Sequence, residues 1–134
     1  MIRYDFHKDL NLVVWTITGH VSANDIVREL EEMVADKQYI PGMSVISDSR
    51  KMESNFSLDD YYKITMATKE VYGPFKIKVK CAGLFAAHSP QLDMGHIYAA
   101  YSQDTPVEFA SFTNINDVKK WLDIPSNISV KIKN

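Results

Sequence analysis

The stretch Ile40-Pro41-Gly42-Met43-Ser44-Val45-Ile46-Ser47-Asp48-Ser49-Arg50 decides the fold. Pro41-Gly42 is a turn pair that stops whatever precedes it. Met43 to Ser47 then reads as a short buried strand, apolar and β-branched at its centre. Helix-like patterns flank it on both sides, so it is expected to be an inner strand of a parallel sheet. Asp48 and Arg50 stand where that strand should run out. Ligands of open α/β sheets gather outside the carboxyl ends of such strands, which makes this the first place to look for function.

Upstream, Ile2, Tyr4 and Phe6 alternate with Arg3 and Asp5, the period of a half-buried strand. A polar turn over His7 to Asn11 leads into Leu12-Val13-Val14-Trp15-Thr16-Ile17-Thr18, a more buried strand ended by Gly19. The two are most economically an antiparallel pair. Ser22-Ala23-Asn24-Asp25 is a helix start, a hydroxyl cap with an acid three residues on. Ile26, Val27, Leu30, Met33 and Val34 then share one helical stripe.

Downstream, Ser57-Leu58-Asp59-Asp60 opens a second helix in the same way. Tyr61, Ile64, Thr65, Thr68, Val71 and Tyr72 sit at helical spacing, Leu58, Tyr62 and Met66 widen that face, and Gly73-Pro74 stops it. Phe75, Ile77, Val79 and Cys81 alternate with Lys76, Lys78 and Lys80, and the run stays apolar to Ala87. Gly83 inside this strand implies close approach by a neighbouring backbone. Ser89-Pro90 starts a third helix with Met94, Ile97, Tyr98 and Tyr101 on its stripe and Gly95 and Ala99 permitting tight contact. Val107 to Phe112 is another strand. Asn114 with Asp117 caps a fourth helix that turns Val118, Trp121 and Leu122 inward and ends at Asp123-Ile124-Pro125.

The order is β-β-α-β-α-β-α-β-α, an α/β sheet begun by an antiparallel pair, in one domain over residues 1–125. Residues 126–134 follow as an extension. There Ile128, Val130 and Ile132 alternate with Ser129, Lys131 and Lys133, which predicts a short strand covering a sheet edge, on its own subunit or on a twofold partner in a homodimer.

The 134 residues suffice for one real core, with 46% apolar and 24% charged residues. A net charge of −2 gives no footprint for nucleic acid or anionic membrane. No apolar run approaches the ~20 residues needed to span a bilayer, so no transmembrane segment is expected. The single cysteine, Cys81, and the absence of a signal-peptide pattern at Met1 to Asp5 point to a cytoplasmic location.

Nothing in the chain asks for catalysis. His7, His20, His88 and His96 make no metal spacing with Cys81 or a carboxylate, so no metal or cofactor is expected. A nucleophile needs a base and an orienting group, whereas Ser57 and Ser89 are better explained as helix caps and Cys81 as a buried, inert thiol. There is no Gly-rich phosphate loop, no Gly-x-Ser-x-Gly and no paired-carboxylate signature. Asp48 and Arg50 read first as a structural pair, Asp48 accepting turn N–H groups, and second as a charged edge for a partner or ligand.

Taken in order, several features resemble the SpoIIAA-like family of small bacterial proteins related to STAS domains. They are the opening strand, the Val-Val-Trp strand ending in Thr18-Gly19-His20-Val21-Ser22, Pro41-Gly42-Met43 leading to Asp48-Ser49-Arg50, and Ser57-Leu58-Asp59-Asp60. Phe112-Thr113-Asn114-Ile115-Asn116-Asp117-Val118-Lys119-Lys120-Trp121-Leu122 completes the set. The resemblance implies a βα superhelix with a mixed sheet. Members of the wider group act as anti-sigma-factor antagonists or transporter regulators, and the related CRAL-TRIO fold group carries lipids. Phosphoregulated STAS domains have an Asp-Ser-Ser-Gly-like turn before their second helix, but here Glu53-Ser54-Asn55-Phe56-Ser57-Leu58-Asp59 stands there and only Ser57 matches the phosphorylated serine.

Two readings of function follow, with a third behind them. The first is a non-enzymatic regulatory module acting through protein contact. The alternative is a carrier of a small molecule or lipid, with an apolar pocket between the sheet and helices two and three, lined by Tyr61, Tyr62, Met66, Met94, Tyr98 and Tyr101. The third is an enzyme using Asp48, Arg50 and His88. A contiguous apolar cavity favours the carrier. An exposed apolar patch over a solid core favours protein contact.

Overall fold

The computed structural model describes residues 1–130. Among them the order is β1 (Ile2–His7), β2 (Leu12–Gly19), α1 (Ala23–Ala35), β3 (Ser44–Met52), α2 (Leu58–Tyr72), β4 (Val79–Leu84), α3 (Pro90–Tyr101), β5 (Val107–Phe112) and α4 (Ile115–Trp121). The strands lie side by side in chain order. β1 is antiparallel to β2, and β2, β3, β4 and β5 run parallel. This is the mixed α/β sheet that the alternation of strand and helix patterns implies.

The helix starts follow the capping logic. Ser22 accepts from the Asp25 N–H while the Asp25 carboxylate accepts from the Ser22 N–H, and Ser57 and Asp60 repeat the arrangement. Ser89 Oγ accepts from the Leu92 N–H, and Asn114 Oδ1 accepts from the Asn116 N–H. Each such cap stabilises its helix by about 1 kcal/mol.

Alternation along the strands divides the core in two. Val13, Trp15, Ile17, Val45, Val79 and Val107 face the layer of α1, α2 and α3. Leu12, Val14, Ile46, Ala82 and Leu84 face the opposite side, where Val118 and Trp121 of α4 pack with Ile124, Ile128 and Val130. The Lys80 ammonium donates to the Trp121 carbonyl at 3.0 Å and lies 4.9 Å from its ring centroid, holding α4 against β4.

Three expectations change. β3 runs on to Met52, so Asp48 and Arg50 lie within the strand and not beyond its end. β2 keeps pairing with β3 past Ser47, through Thr16 with Asp48 and, after a bulge, Gly19 with Met52. These ladder bonds hold the polar residues extended. β4 starts only at Val79, because Gly73–Phe75 forms a 3-10 turn closed by Lys76 at φ 55°. Gly83 admits rings and not a backbone: a Cβ there would lie 2.6 Å from Phe109 and 2.7 Å from Phe85.

The chain after Pro125 makes one turn, with the Ile128 N–H donating to the Pro125 carbonyl at 3.0 Å. The Lys119 ammonium donates to the Ile128 carbonyl at 2.7 Å. Residues 126–130 take no strand pairing. The rest of the expected edge strand, residues 131–134, lies outside the described residues.

A candidate ligand cavity

Beneath α1, α2 and α3 the layer does not close fully on the sheet. A cavity of about 140 Å³ remains. Its floor is Trp15, Ile17, Val45, Cys81 and Phe109, and its roof includes Leu30, Ile64, Tyr72, Met94 and Tyr98. Phe56 and Tyr61 form its wall where the β3–α2 connection enters α2. Among the described residues no Lys, Arg, His, Asp or Glu lines it.

The bulge in β3 shapes this floor. Between Thr16 and Thr18 of β2, β3 advances from Asp48 to Lys51, one residue more than its partner. The extra residue shifts the side-chain phase. Ser47 and Ser49 reach the cavity by simple alternation, and Met52 reaches it because of the shift. The Ser47 and Ser49 hydroxyls lie 3.4 Å apart.

Polar groups around the cavity are few. Thr68 Oγ1 donates to the Ile64 carbonyl at 2.8 Å, which leaves it to accept from the Tyr98 hydroxyl at 3.3 Å. Tyr61 is 3% exposed, and its hydroxyl oxygen is buried with no hydrogen-bond partner among the described residues. Its ring stacks on Tyr101 at 6.2 Å with 13° between planes, and meets Phe56 edge-on at 5.9 Å. Burial pushes the Tyr61 hydroxyl up to about 12, with the Asp60 charge adding to it. Burial likewise pushes the Cys81 thiol and the Tyr98 hydroxyl up to about 12. Thiol and phenols alike are therefore neutral at physiological pH.

Of the six residues expected to line a pocket, Tyr61, Met94 and Tyr98 do so. Tyr101 lies outside it, against the outer face of Tyr61. Tyr62 and Met66 are corrected: they are exposed, at 58% and 38%, on the solvent side of α2 with Leu58. The inward face of α2 runs through Tyr61, Ile64, Thr65, Thr68 and Tyr72, and a row offset by one residue turns about 100° away from it. Ile97 and Tyr101 of α3 are exposed apolar side chains as well. The floor residues Trp15, Val45 and Phe109 were not legible as a site, since apolar alternation marks every strand alike.

Asp48 is 4% exposed and takes a two-pronged grip from Arg50, whose Nε and Nη2 each donate at 2.9 Å. The Arg50 N–H adds a longer bond to Asp48 Oδ1 at 3.2 Å. The pair shares the Ile46 face of β3, away from the cavity. Ser57 is the exposed cap of α2. His88 is exposed in the loop before α3 at φ 57°. Among the described residues no group of three or more His, Cys, Asp or Glu is placed to hold a metal, and no helix is long and apolar enough to cross a membrane.

A wider hollow of about 480 Å³ lies at the β5–α3 edge. Its wall mixes Lys78, His96, Gln103 and Glu108, all exposed, with apolar residues. Its wall is more polar than that of the cavity under the helices.

No family model and no curated protein matches this chain. Among solved structures it is similar to an uncharacterized protein of the DUF3478 family with a SpoIIAA-like fold from Shewanella loihica PV-4. The identity is 18% and the TM-score 0.57, over 91% of this chain and 92% of that one. That likeness and the observed strand order agree with the sequence resemblance: the chain has a SpoIIAA-like fold.

Proposed function

We propose that this chain is a non-enzymatic binding module for a small apolar molecule, held in the cavity between the sheet and α1, α2 and α3. The observation that carries this is a void of about 140 Å³ with an almost wholly apolar wall. An apolar cavity of roughly 150 Å³ stays dry and accepts a molecule of benzene's size. A volume of this order suits a molecule of benzene's size better than a long acyl chain, so the carrier reading is taken toward a small ligand.

Titration calorimetry with toluene tests it. Wild-type protein should show saturable binding, and Cys81→Leu, which extends a side chain from the cavity floor, should abolish it without lowering the melting temperature. Absence of saturable binding to the wild type, or unchanged binding to Cys81→Leu, refutes the site.

The protein-contact reading keeps one specific support, the exposed row Leu58, Tyr62 and Met66 at helical spacing along α2. Contiguous apolar patches mark interaction surfaces. If a second copy covers this one, sedimentation should show a dimer that Tyr62→Glu returns to monomer.

A further inference from the structure

Resting on the cavity reading above, we infer that the ligand is a small uncharged alcohol or phenol whose hydroxyl sits on the Ser47 hydroxyl in the cavity floor. The accessibility of Ser47, its unused bonding capacity and its surroundings each support this class.

Ser47 lies in the third of five strands, beneath the helix layer, and yet keeps part of its surface accessible. Its chain neighbours Ile46 and Asp48 are buried on the opposite face of β3. The open surface of Ser47 therefore belongs to the cavity that it lines. A serine side chain ends at the atom bonded to Cβ, so a serine in a cavity wall presents its hydroxyl there.

That hydroxyl has bonding capacity to spare. Its partner is Ser49 Oγ at 3.4 Å, a long contact for two hydroxyls. Ser49 is buried, and among the described residues neither side chain makes another hydrogen bond. In such a pair one hydroxyl donates and the other accepts, so a hydrogen and several lone pairs stay unused whichever way the pair is turned. The pair can donate to an incoming group and accept from it, and a ligand hydroxyl uses both. A carboxylate or ammonium brought there would lose its water and meet no counter-charge, since none of the described residues around the void carries a formal charge.

The surroundings set the rest of the ligand. Ser47 pairs with Trp15 on β2 and with Gly83 on β4. The Phe109 and Phe85 rings lie over Gly83, 2.6 Å and 2.7 Å from where a Cβ would be. Trp15, Phe85 and Phe109 all line the cavity. A polar point set among rings matches a body that is apolar except for one hydroxyl.

Toluene and phenol, which share one shape and differ by methyl against hydroxyl, separate this inference from the cavity reading. Both are titrated by calorimetry into wild type and Ser47→Ala near neutral pH, with benzoate as the charged probe. Wild type should bind phenol at least as tightly as toluene and should not bind benzoate. Ser47→Ala should keep toluene affinity and lower phenol affinity about tenfold, the effect of one neutral hydrogen bond. A phenol-to-toluene ratio that is the same in both proteins overturns the role of Ser47 and leaves the cavity standing. Benzoate binding as tight as phenol overturns the uncharged class. Failure of toluene to bind wild type overturns the cavity and this inference together. Should Ser47→Ala fail to fold, wild-type preference for toluene over phenol by itself refutes the hydroxyl's role.

Discussion

Gly95→Ala is the substitution on which packing and proposed function meet. Gly95 is buried within α3. A Cβ placed there would lie 2.6 Å from Phe85 Cε2 and 2.7 Å from Ser111 Oγ. In an exposed helix interior the change would stabilise by about 1 kcal/mol through helix propensity. Here the opposing term is overpacking, typically about 1–3 kcal/mol in a filled core. The Phe85 ring cannot retreat toward β4, because the same edge lies 2.7 Å from where a Cβ on Gly83 would be. Its remaining freedom is toward the cavity that it helps to line. Strain should therefore win by about 1 kcal/mol, lowering the melting temperature by about 4 °C for a chain of this size. Toluene affinity should fall as well, since the displaced ring takes part of the void. Thermal denaturation and toluene calorimetry on the same samples check both. A melting temperature raised by several degrees would show that α3 does not press on Phe85, and unchanged toluene affinity would show that the ring does not relax inward.

Two further outcomes follow from named contacts. Ser57→Ala should lower stability by about 1 kcal/mol in chemical denaturation, while Ser57→Asp, which also caps, should be nearly neutral. The Ser57 N–H and hydroxyl hold the Asp60 carboxyl below the usual aspartate range, so the stabilisation is complete above the unfolded aspartate value, about pH 4, and fades as pH falls through the lower folded value. The Ser57→Ala deficit should accordingly shrink in acid, and a deficit that grows there would contradict the box. Asp48→Asn should cost about 2 kcal/mol, less than a fully buried pair because the Arg50 side chain is 35% exposed. It should leave toluene binding unchanged, because Asp48 lies on the other face of β3, and a loss of binding at full stability would place the ligand elsewhere.

The element order was legible in the sequence, and the reason is local. Ser22 with Asp25 and Ser57 with Asp60 announce helix starts by side chains that bond their own turn. The alternation at Ile2, Tyr4 and Phe6 and the buried run from Leu12 to Ile17 announce strands by a period that one face of a sheet imposes. Proline and glycine pairs mark the breaks. Information of this kind lies within a few residues of where it acts.

What the tertiary structure alone decided is where non-local pairing and packing end. Asp48 looked like a residue past the strand because polar side chains usually mark strand ends. Its extended state depends on Thr16 and Leu84 of neighbouring strands, far away in sequence. The bulge that brings Met52 to the same floor as Ser49 is likewise a mismatch between two strands, and no single strand encodes it. Tyr61 and Tyr62 are adjacent tyrosines on one helix, and only the seating of α2 on the sheet made the first a cavity wall and the second a surface ring. A cavity is the volume that side chains from β2, β3, β4, β5 and three helices together fail to fill. It is a property of their sum, and no stretch of chain carries it.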